Sequence, residues 1–149
     1  MGEPPIAQEC VEGYLFASTP LRLLILRRPP SRERIWVPVS GKVEPTDRDF
    51  PSALRRELLE ETGFSSFRRL FDMDWQVVFE RSPGVHWRLH GFGVELDHPL
   101  PPRLSDEHEA FAWVSVREAL ERLHYSDNRE AVLRLLGRVA PERVPAGKA

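Results

Sequence analysis

The chain has 149 residues, enough for one domain with a buried core. Its 21 basic and 23 acidic side chains nearly cancel, and the net charge of −2 excludes the broad positive field of a general nucleic-acid-binding protein. The single Cys10 excludes an internal disulfide and a zinc site built from cysteines. Neither a secretory signal nor a run of about 18 apolar residues is found. We therefore expect a soluble cytoplasmic protein without a membrane partner.

The first part of the chain predicts two strands. Apolar and aromatic side chains indicate a strand over residues 7–17, and a turn leads into a second strand over 21–28. The second strand is apolar almost throughout, which favours a strand covered on both faces. Arg27 and Arg28 close it, either as the charged end of a strand or as phosphate ligands, because guanidinium groups suit phosphate oxygens.

Residues 49–63 predict a helix with a concentrated acidic face. Asp49 suits the N-cap, Pro51 suits the first turn, and Gly63 suits the position just after the last turn. At about 100° per residue, three glutamates fall within roughly a 100° arc of this helix. They are Glu57, Glu60 and Glu61.

Acidic helix faces are usually solvated surfaces, but this one opposes its own local electrostatics. Glu57 and Glu61 form a repulsive i,i+4 pair, and Glu60 and Glu61 stand in the last turn, where the helix dipole disfavours negative charge. Only Arg56 stands at i,i+4 spacing to one of them, Glu60, and in the weaker order. The carboxylates therefore indicate a bound cation, and oxygen ligands favour Mg²⁺ or Mn²⁺.

Downstream of this helix, alternation predicts strands over 67–81 and 87–96, joined by a turn at 82–84. The acidic segment 105–109 leads into a further strand with aromatic side chains.

Two capping boxes predict helices near the end of the chain. Ser115 with Glu118 opens the first, and Asp127 with Glu130 opens the second.

Residues 56–64 resemble the second half of the Nudix box, G-x5-E-x7-R-E-U-x-E-E-x-G-U, in which U is an apolar residue. Every fixed position of that half matches. The first half departs from the pattern, because the stretch from Gly41 to Arg56 is one residue longer and the early Glu is absent, with Asp47 or Asp49 nearest. We interpret the extra residue as an insertion in the loop before the helix.

The resemblance implies the Nudix fold, an α/β/α sandwich with a mixed β-sheet. We expect a single domain over 1–149, with flexible ends at 1–5 and 141–149.

By the same resemblance, the protein would be an enzyme that hydrolyses a pyrophosphate bond in a nucleoside diphosphate derivative, using water activated by Mg²⁺. The metal ligands would be the Gly41 carbonyl with Glu57, Glu60 and Glu61, while Arg56 would orient the carboxylates. The alternative is a non-catalytic Nudix-fold module that senses a nucleotide. Such a module should have lost box acids, so the three retained glutamates favour the enzyme.

The candidate general base lies in the segment 105–109. Continuing the alternation of Phe111 and Trp113 would put Glu109 on the face of those aromatics, so we favour Glu107. His108 is a weaker candidate, because a Mg²⁺ site needs carboxylates more than imidazole. Glu61 is the catalytic alternative within the helix.

The other substrate contacts, those of Lys42 and Asn128, are implied by resemblance. Lys42 would meet a phosphate beside Arg27 or Arg28. The order of the box, the segment 106–113 and the segment 126–131 resembles a bacterial subgroup acting on dihydroneopterin triphosphate or dATP. Asn128 would contact a small nucleotide-type substrate in that match, although an ordinary helix N-terminus explains it equally well. The physiological substrate, the metal preference and the oligomeric state stay open.

Overall fold

The computed structural model of the protein describes residues 2–144. The predicted layers are confirmed, with one mixed sheet of seven strands between helices. The strands are β1 (Ile6–Ser18), β2 (Leu21–Arg27), β3 (Trp36–Val37), β4 (Val39–Lys42), β5 (Arg69–Ser82), β6 (Val85–Glu95) and β7 (Ala110–Val114). The helices are α1 (Phe50–Thr62), α2 (Val116–Arg122) and α3 (Ser126–Val139), with short 3-10 helices at Pro30–Arg32 and Pro141–Arg143.

Strand β1 is the centre of the sheet. It pairs in parallel with β6 and antiparallel with β2 and β4, within the order β3-β2-β1-β6-β5. Strand β7 pairs with β2, and β5 forms a long hairpin with β6. Because β4 runs beside β1, the residues that precede the α1 loop are fixed to the middle of the sheet.

Two apolar cores lie on opposite faces of the sheet, as the alternation along β2 shows. Leu23 and Ile25 pack with α2 and α3, whereas Leu24 and Leu26 pack with α1. The expectation of a strand covered on both faces is therefore confirmed. The result is an α/β/α sandwich in which, within residues 2–144, α1 is the helix on one face and α2 and α3 are the helices on the other.

Both ends of α1 are fixed by the predicted residues. The Asp49 carboxylate accepts a hydrogen bond from the Ser52 amide at 2.8 Å, and Pro51 stands in the first turn. Gly63 has a φ of 77°, and its amide donates to the Leu59 carbonyl at 3.0 Å. A left-handed conformation costs glycine little, so the helix stops there.

The second predicted capping box is wrong. Helix α3 begins at Ser126, and its N-cap Tyr125 makes no side-chain capping bond. The amides of Asn128 and Arg129 reach the Tyr125 carbonyl instead, at 3.1 and 3.3 Å. Asp127 thus lies inside the first turn, where its charge still favours the helix dipole. The Ser115 cap of α2 is confirmed by a 3.2 Å bond from the Glu118 amide.

The predicted flexible ends are only partly within the described range. Met1 and residues 145–149 lie outside it, whereas Pro141–Arg143 forms a 3-10 helix. Within residues 2–144, no helix combines the length and apolar character needed to cross a bilayer.

Candidate active site

The acidic face of α1 meets the sheet at Gly41. Gly41 lies in β4 opposite Val11 of β1, and a Cβ at this position would overlap the Glu57 carboxylate. A larger residue at this position would therefore displace the Glu57 carboxylate from where it lies. The contact places the Glu57 carboxylate directly against the backbone of β4.

Glu61 is the most unusual carboxylate of the site. It is 1% exposed, and neither of its oxygens accepts a hydrogen bond from a donor within residues 2–144. Burial, the adjacent Glu57 carboxyl and the charge of Glu107 raise the pKa of Glu61 to about 10. Burial also raises the pKa of Glu57, against the opposing effect of Arg56. Ionising both carboxyls together therefore requires a compensating positive charge.

Two of the three predicted glutamate ligands are placed to bind a hard divalent cation, and the third is not. The buried carboxylates of Glu57 and Glu61 supply the oxygen donors that Mg²⁺ and Mn²⁺ prefer. Glu60 is exposed and lies 3.4 Å from Arg56 instead. Across residues 2–144, no three His, Cys, Asp or Glu side chains gather into a ready metal shell. A bound ion would have to draw Glu60 or another oxygen towards the buried pair.

Arg56 ties the box loop to α1. Its Nε and Nη2 donate to the two oxygens of Asp47 at 3.0 and 2.8 Å, and Nη2 also donates to the Lys42 carbonyl at 2.9 Å. Its Nη1 donates to Glu57 at 3.0 Å. The Arg56 bonds lower the pKa of Asp47, which therefore stays ionised. Asp47 is thus the acid that holds the loop, while Asp49 caps the helix.

The segment 105–109 lies along the end of β2. The Glu109 amide donates to the Arg27 carbonyl at 2.8 Å, and the Glu109 carboxylate lies 2.9 Å from Arg27 and 3.5 Å from Arg34. Glu107 is exposed, and its charge contributes to the raised pKa of Glu61. Of the two acids, Glu109 is engaged by arginines while Glu107 is solvated within electrostatic reach of α1.

His108, between these two acids in the sequence, lies against the Glu61 carboxylate of α1. It is 8% exposed, and its Nδ1 lies 3.4 Å from the Glu61 carboxylate without forming a hydrogen bond. Burial and the charges of Arg28 and Arg32 lower the pKa of His108 to about 4. The imidazole is therefore neutral near pH 7 and neutralises none of the charge on α1. Nothing in the sequence pattern signals this contact.

The remaining predicted substrate residues are spread around the sheet. The Lys42 ammonium lies over the Trp87 ring, 5.1 Å from its centroid, and the Arg28 guanidinium lies 6.0 Å from that of Tyr125. Asn128 is 2% exposed and on the α3 face, away from α1. The fold therefore brings Gly41, Arg56, Glu57 and Glu61 together, with Glu60 exposed beside Arg56, but leaves Asn128 apart from them.

Asn128 belongs to a buried polar cluster that sequence reasoning missed. Its Nδ2 donates to the Tyr14 hydroxyl at 3.0 Å and to Glu12 at 3.3 Å, and the Tyr14 hydroxyl also donates to Glu12 at 2.9 Å. Burial raises the pKa of Glu12 to about 7. The one available signal is a glutamate in the buried middle of β1.

Known proteins resemble this chain over most of its length. It is 31% identical over 127 residues to dihydroneopterin triphosphate diphosphatase of Haemophilus influenzae, covering 77% of this chain and 78% of that protein. It is 37% identical over 116 residues to octanoyltransferase of Myxococcus xanthus, covering 76% of this chain but only 32% of that protein. The chain thus spans about a third of the octanoyltransferase.

The fold and the family model agree with these relatives. The structure of the E. coli dihydroneopterin triphosphate pyrophosphohydrolase superposes with a TM-score of 0.77 at 23% identity, covering 90% of this chain and 99% of that one. The expected Nudix fold is confirmed. The family model described as NUDIX domain matches residues 14–135, and the chain therefore belongs to the Nudix family.

Proposed function

We propose that this protein hydrolyses a pyrophosphate bond in a (deoxy)nucleoside or pterin triphosphate, with Mg²⁺ as cofactor and Mn²⁺ as the alternative. The observation that carries the proposal is the buried carboxylate of Glu61 beside Glu57, which accepts no hydrogen bond from any donor within residues 2–144. In a family of nucleotide hydrolases, such a pair of carboxylates would bind a cation that contacts the phosphates of the substrate.

The substrate class is supported by the relatives. The Haemophilus influenzae protein is named for dihydroneopterin triphosphate, and so is the E. coli structure. Both names give as substrate a heterocyclic compound with a triphosphate group. This substrate class agrees with the subgroup that the order of motifs resembles. The 32% coverage of the octanoyltransferase gives no reason to assign acyl transfer to this chain.

Each site residue has a separate part in this proposal. Glu57, Glu60 and Glu61 would hold the metal with the Gly41 carbonyl, and Arg56 would keep the loop and the helix in register. When bound, the metal offsets phosphate charge and lowers the pKa of the attacking water. Glu107 would accept the proton of that water.

Substrate binding would fall to residues around this centre. Lys42 and Arg28 would bind phosphate oxygens, and Arg27 would join them if its ion pair with Glu109 opens. Asn128 would contact the heterocycle after rearrangement of its bonds to Tyr14 and Glu12.

The test is product release from a panel of substrates in Mg²⁺ and separately in Mn²⁺. We expect phosphate-containing products from dATP, dGTP and dihydroneopterin triphosphate, with ADP-ribose as the comparison lacking a triphosphate. Measurable binding of these compounds without turnover in either metal would favour the sensor module instead. Turnover of ADP-ribose alone would overturn the triphosphate assignment while keeping hydrolysis.

Asp47→Asn tests how the box loop is held. The change weakens both bonds that hold the Arg56 guanidinium, which itself binds the Lys42 carbonyl and Glu57. Loss of a group that orients metal ligands typically lowers metal affinity or activity by about 10–100-fold. We expect a higher Mg²⁺ concentration for half-maximal activity, measured by metal titration.

Asp49→Asn is the matched control for this prediction. It makes the same chemical change two positions along the chain, at a helix cap where asparagine serves as well as aspartate. An unaltered Mg²⁺ titration in Asp47→Asn, or an equal shift in both variants, would contradict the role given to Asp47.

A further inference from the structure

Three buried polar atoms without a hydrogen-bond partner among residues 2–144 meet between α1 and the segment 105–109. They are both carboxylate oxygens of Glu61 and the Nδ1 atom of His108. The two side chains are buried, and Nδ1 lies 3.4 Å from Glu61 Oε1. Because buried polar atoms are nearly always paired in native proteins, three unpaired atoms at one place indicate a missing partner.

A hydrogen bond between the two side chains does not account for these atoms. An N–H donor and an oxygen acceptor in a good hydrogen bond lie about 2.7–3.2 Å apart. The separation of His108 Nδ1 from Glu61 is longer, and Nδ1 makes no hydrogen bond to the carboxylate. Even a shorter contact between them would leave the second oxygen of Glu61 without a partner.

The spacing of the two groups suits two ligands of one cation. Donors bound to one ion at about 2.1 Å lie about 3.0 Å apart at right angles and about 3.4 Å apart at the tetrahedral angle. The 3.4 Å between His108 Nδ1 and Glu61 Oε1 is within this interval. A cation bound by both atoms would give each of them the partner that it lacks.

Backbone hydrogen bonds hold His108 at this place. The His108 amide donates to the Ser105 carbonyl at 3.3 Å, and the next amide, that of Glu109, donates to the Arg27 carbonyl of β2 at 2.8 Å. Since β2 is paired within the sheet, the segment that carries the imidazole is attached to the rigid part of the fold.

Glu60 is less well placed to complete the metal site. It is exposed and lies 3.4 Å from Arg56, whereas His108 already contacts Glu61. Among residues 2–144, Glu57, Glu61 and His108 do not yet form a complete metal shell, so binding must draw these side chains closer together. For His108 this movement is small, because its ring nitrogen already lies against the carboxylate.

We propose that His108 Nδ1 is a ligand of the cation held by Glu57 and Glu61, and that it makes this site select a transition-metal ion such as Mn²⁺ over Mg²⁺. Imidazole nitrogen is a usual ligand of transition metals, whereas Mg²⁺ prefers oxygen ligands. Carboxylates alone would accept either ion. The inference rests on the proposed function in one respect, since it assumes that the cation binds at Glu57 and Glu61.

The experiment measures the binding of Mn²⁺ and of Mg²⁺, each without nucleotide, to wild type and to His108→Asn by calorimetric titration. The loss of a group that only orients a metal ligand already costs about 10–100-fold in affinity, so we expect Mn²⁺ binding to weaken by at least that factor. Asparagine offers an amide oxygen, which Mg²⁺ accepts, so Mg²⁺ binding should change by about twofold or less.

Electron spin echo modulation of the bound Mn²⁺ gives a second measurement, which does not depend on affinity. We expect coupling to a ¹⁴N nucleus in the wild-type protein, its replacement by ¹⁵N coupling when the histidines are labelled, and its loss in His108→Asn. His124→Asn is the matched control for both measurements, because His124 is exposed and lies between α2 and α3. It should leave both affinities and the nitrogen coupling unchanged.

The outcomes separate this inference from the proposed function. Absence of nitrogen coupling in wild type, or equal weakening of both metals in His108→Asn, overturns the ligand role of His108. Should circular dichroism show that His108→Asn does not fold, the nitrogen coupling of the wild-type protein decides alone. Nitrogen coupling in a protein that hydrolyses no nucleotide in either metal supports this inference and rejects the hydrolase. Hydrolysis in Mg²⁺ by a protein without nitrogen coupling to Mn²⁺ supports the hydrolase and overturns this inference.

Discussion

Glu61→Gln should lower kcat by several orders of magnitude while the protein stays folded. The side chain is 1% exposed, and its oxygens accept no hydrogen bond from the described residues. Its negative charge therefore contributes little to the stability of the fold, and we expect it to serve in binding a cation. Glutamine has nearly the same shape but supplies no negative charge to a metal ion. Steady-state kinetics in saturating Mg²⁺ should show the loss, and circular dichroism should show native secondary structure.

The metal-free stability of this variant gives a second, independent measurement. A buried carboxyl whose pKa is raised is favoured in its protonated form, so the wild-type protein loses stability as pH rises above the ordinary pKa of glutamate and towards about 10. Glu61→Gln removes the titration, so the unfolding free energy of this variant should change less between pH 5 and pH 9 than that of the wild-type protein.

Glu130→Gln is the control for both measurements, because Glu130 is exposed on α3 and far along the chain from the site. It should keep wild-type kcat and wild-type pH dependence of stability. Retention of wild-type kcat in Glu61→Gln would remove Glu61 from the metal ligands. An unchanged pH slope would contradict the burial of an ionisable pair at this position.

Local signals in the sequence were enough to predict both ends of α1. Asp49 and Gly63 act on amides and carbonyls within four residues, so their effect on α1 is readable without the rest of the fold. The same locality explains the error at α3. Asp127 and Glu130 have the right spacing for a capping box. The amides of Asn128 and Arg129 nevertheless donate to the Tyr125 carbonyl, so the helix already begins at Ser126.

Contacts between distant segments were beyond sequence reasoning. Asn128 and Glu12 are separated by 116 positions, and their pairing depends on how α3 crosses β1. The ion pair between Arg27 and Glu109 likewise depends on β7 joining β2. The spacing of residues predicts one helix or strand at a time. It therefore singled out Asn128 and Arg27 but could not predict which residues they contact.

Glu107→Gln should lower kcat by about 10²–10⁴-fold with KM nearly unchanged, the loss expected for a general base. Glu107 is exposed, its amide donates to the Ser105 hydroxyl at 3.3 Å, and its charge reaches Glu61. No arginine among the described residues forms an ion pair with its carboxylate. We therefore propose that this carboxylate, rather than that of Glu109, accepts the proton of the attacking water.

Glu109→Gln is the matched comparison, two positions along the same segment. Its carboxylate is committed to Arg27 and Arg34, so its loss should leave kcat close to wild type and act on KM through the released Arg27. Initial rates over a range of dATP concentrations separate the two effects. A large fall in kcat for Glu109→Gln with an active Glu107→Gln would exchange the two roles. Full activity in both variants would place the base on α1, where Glu61 is the remaining candidate.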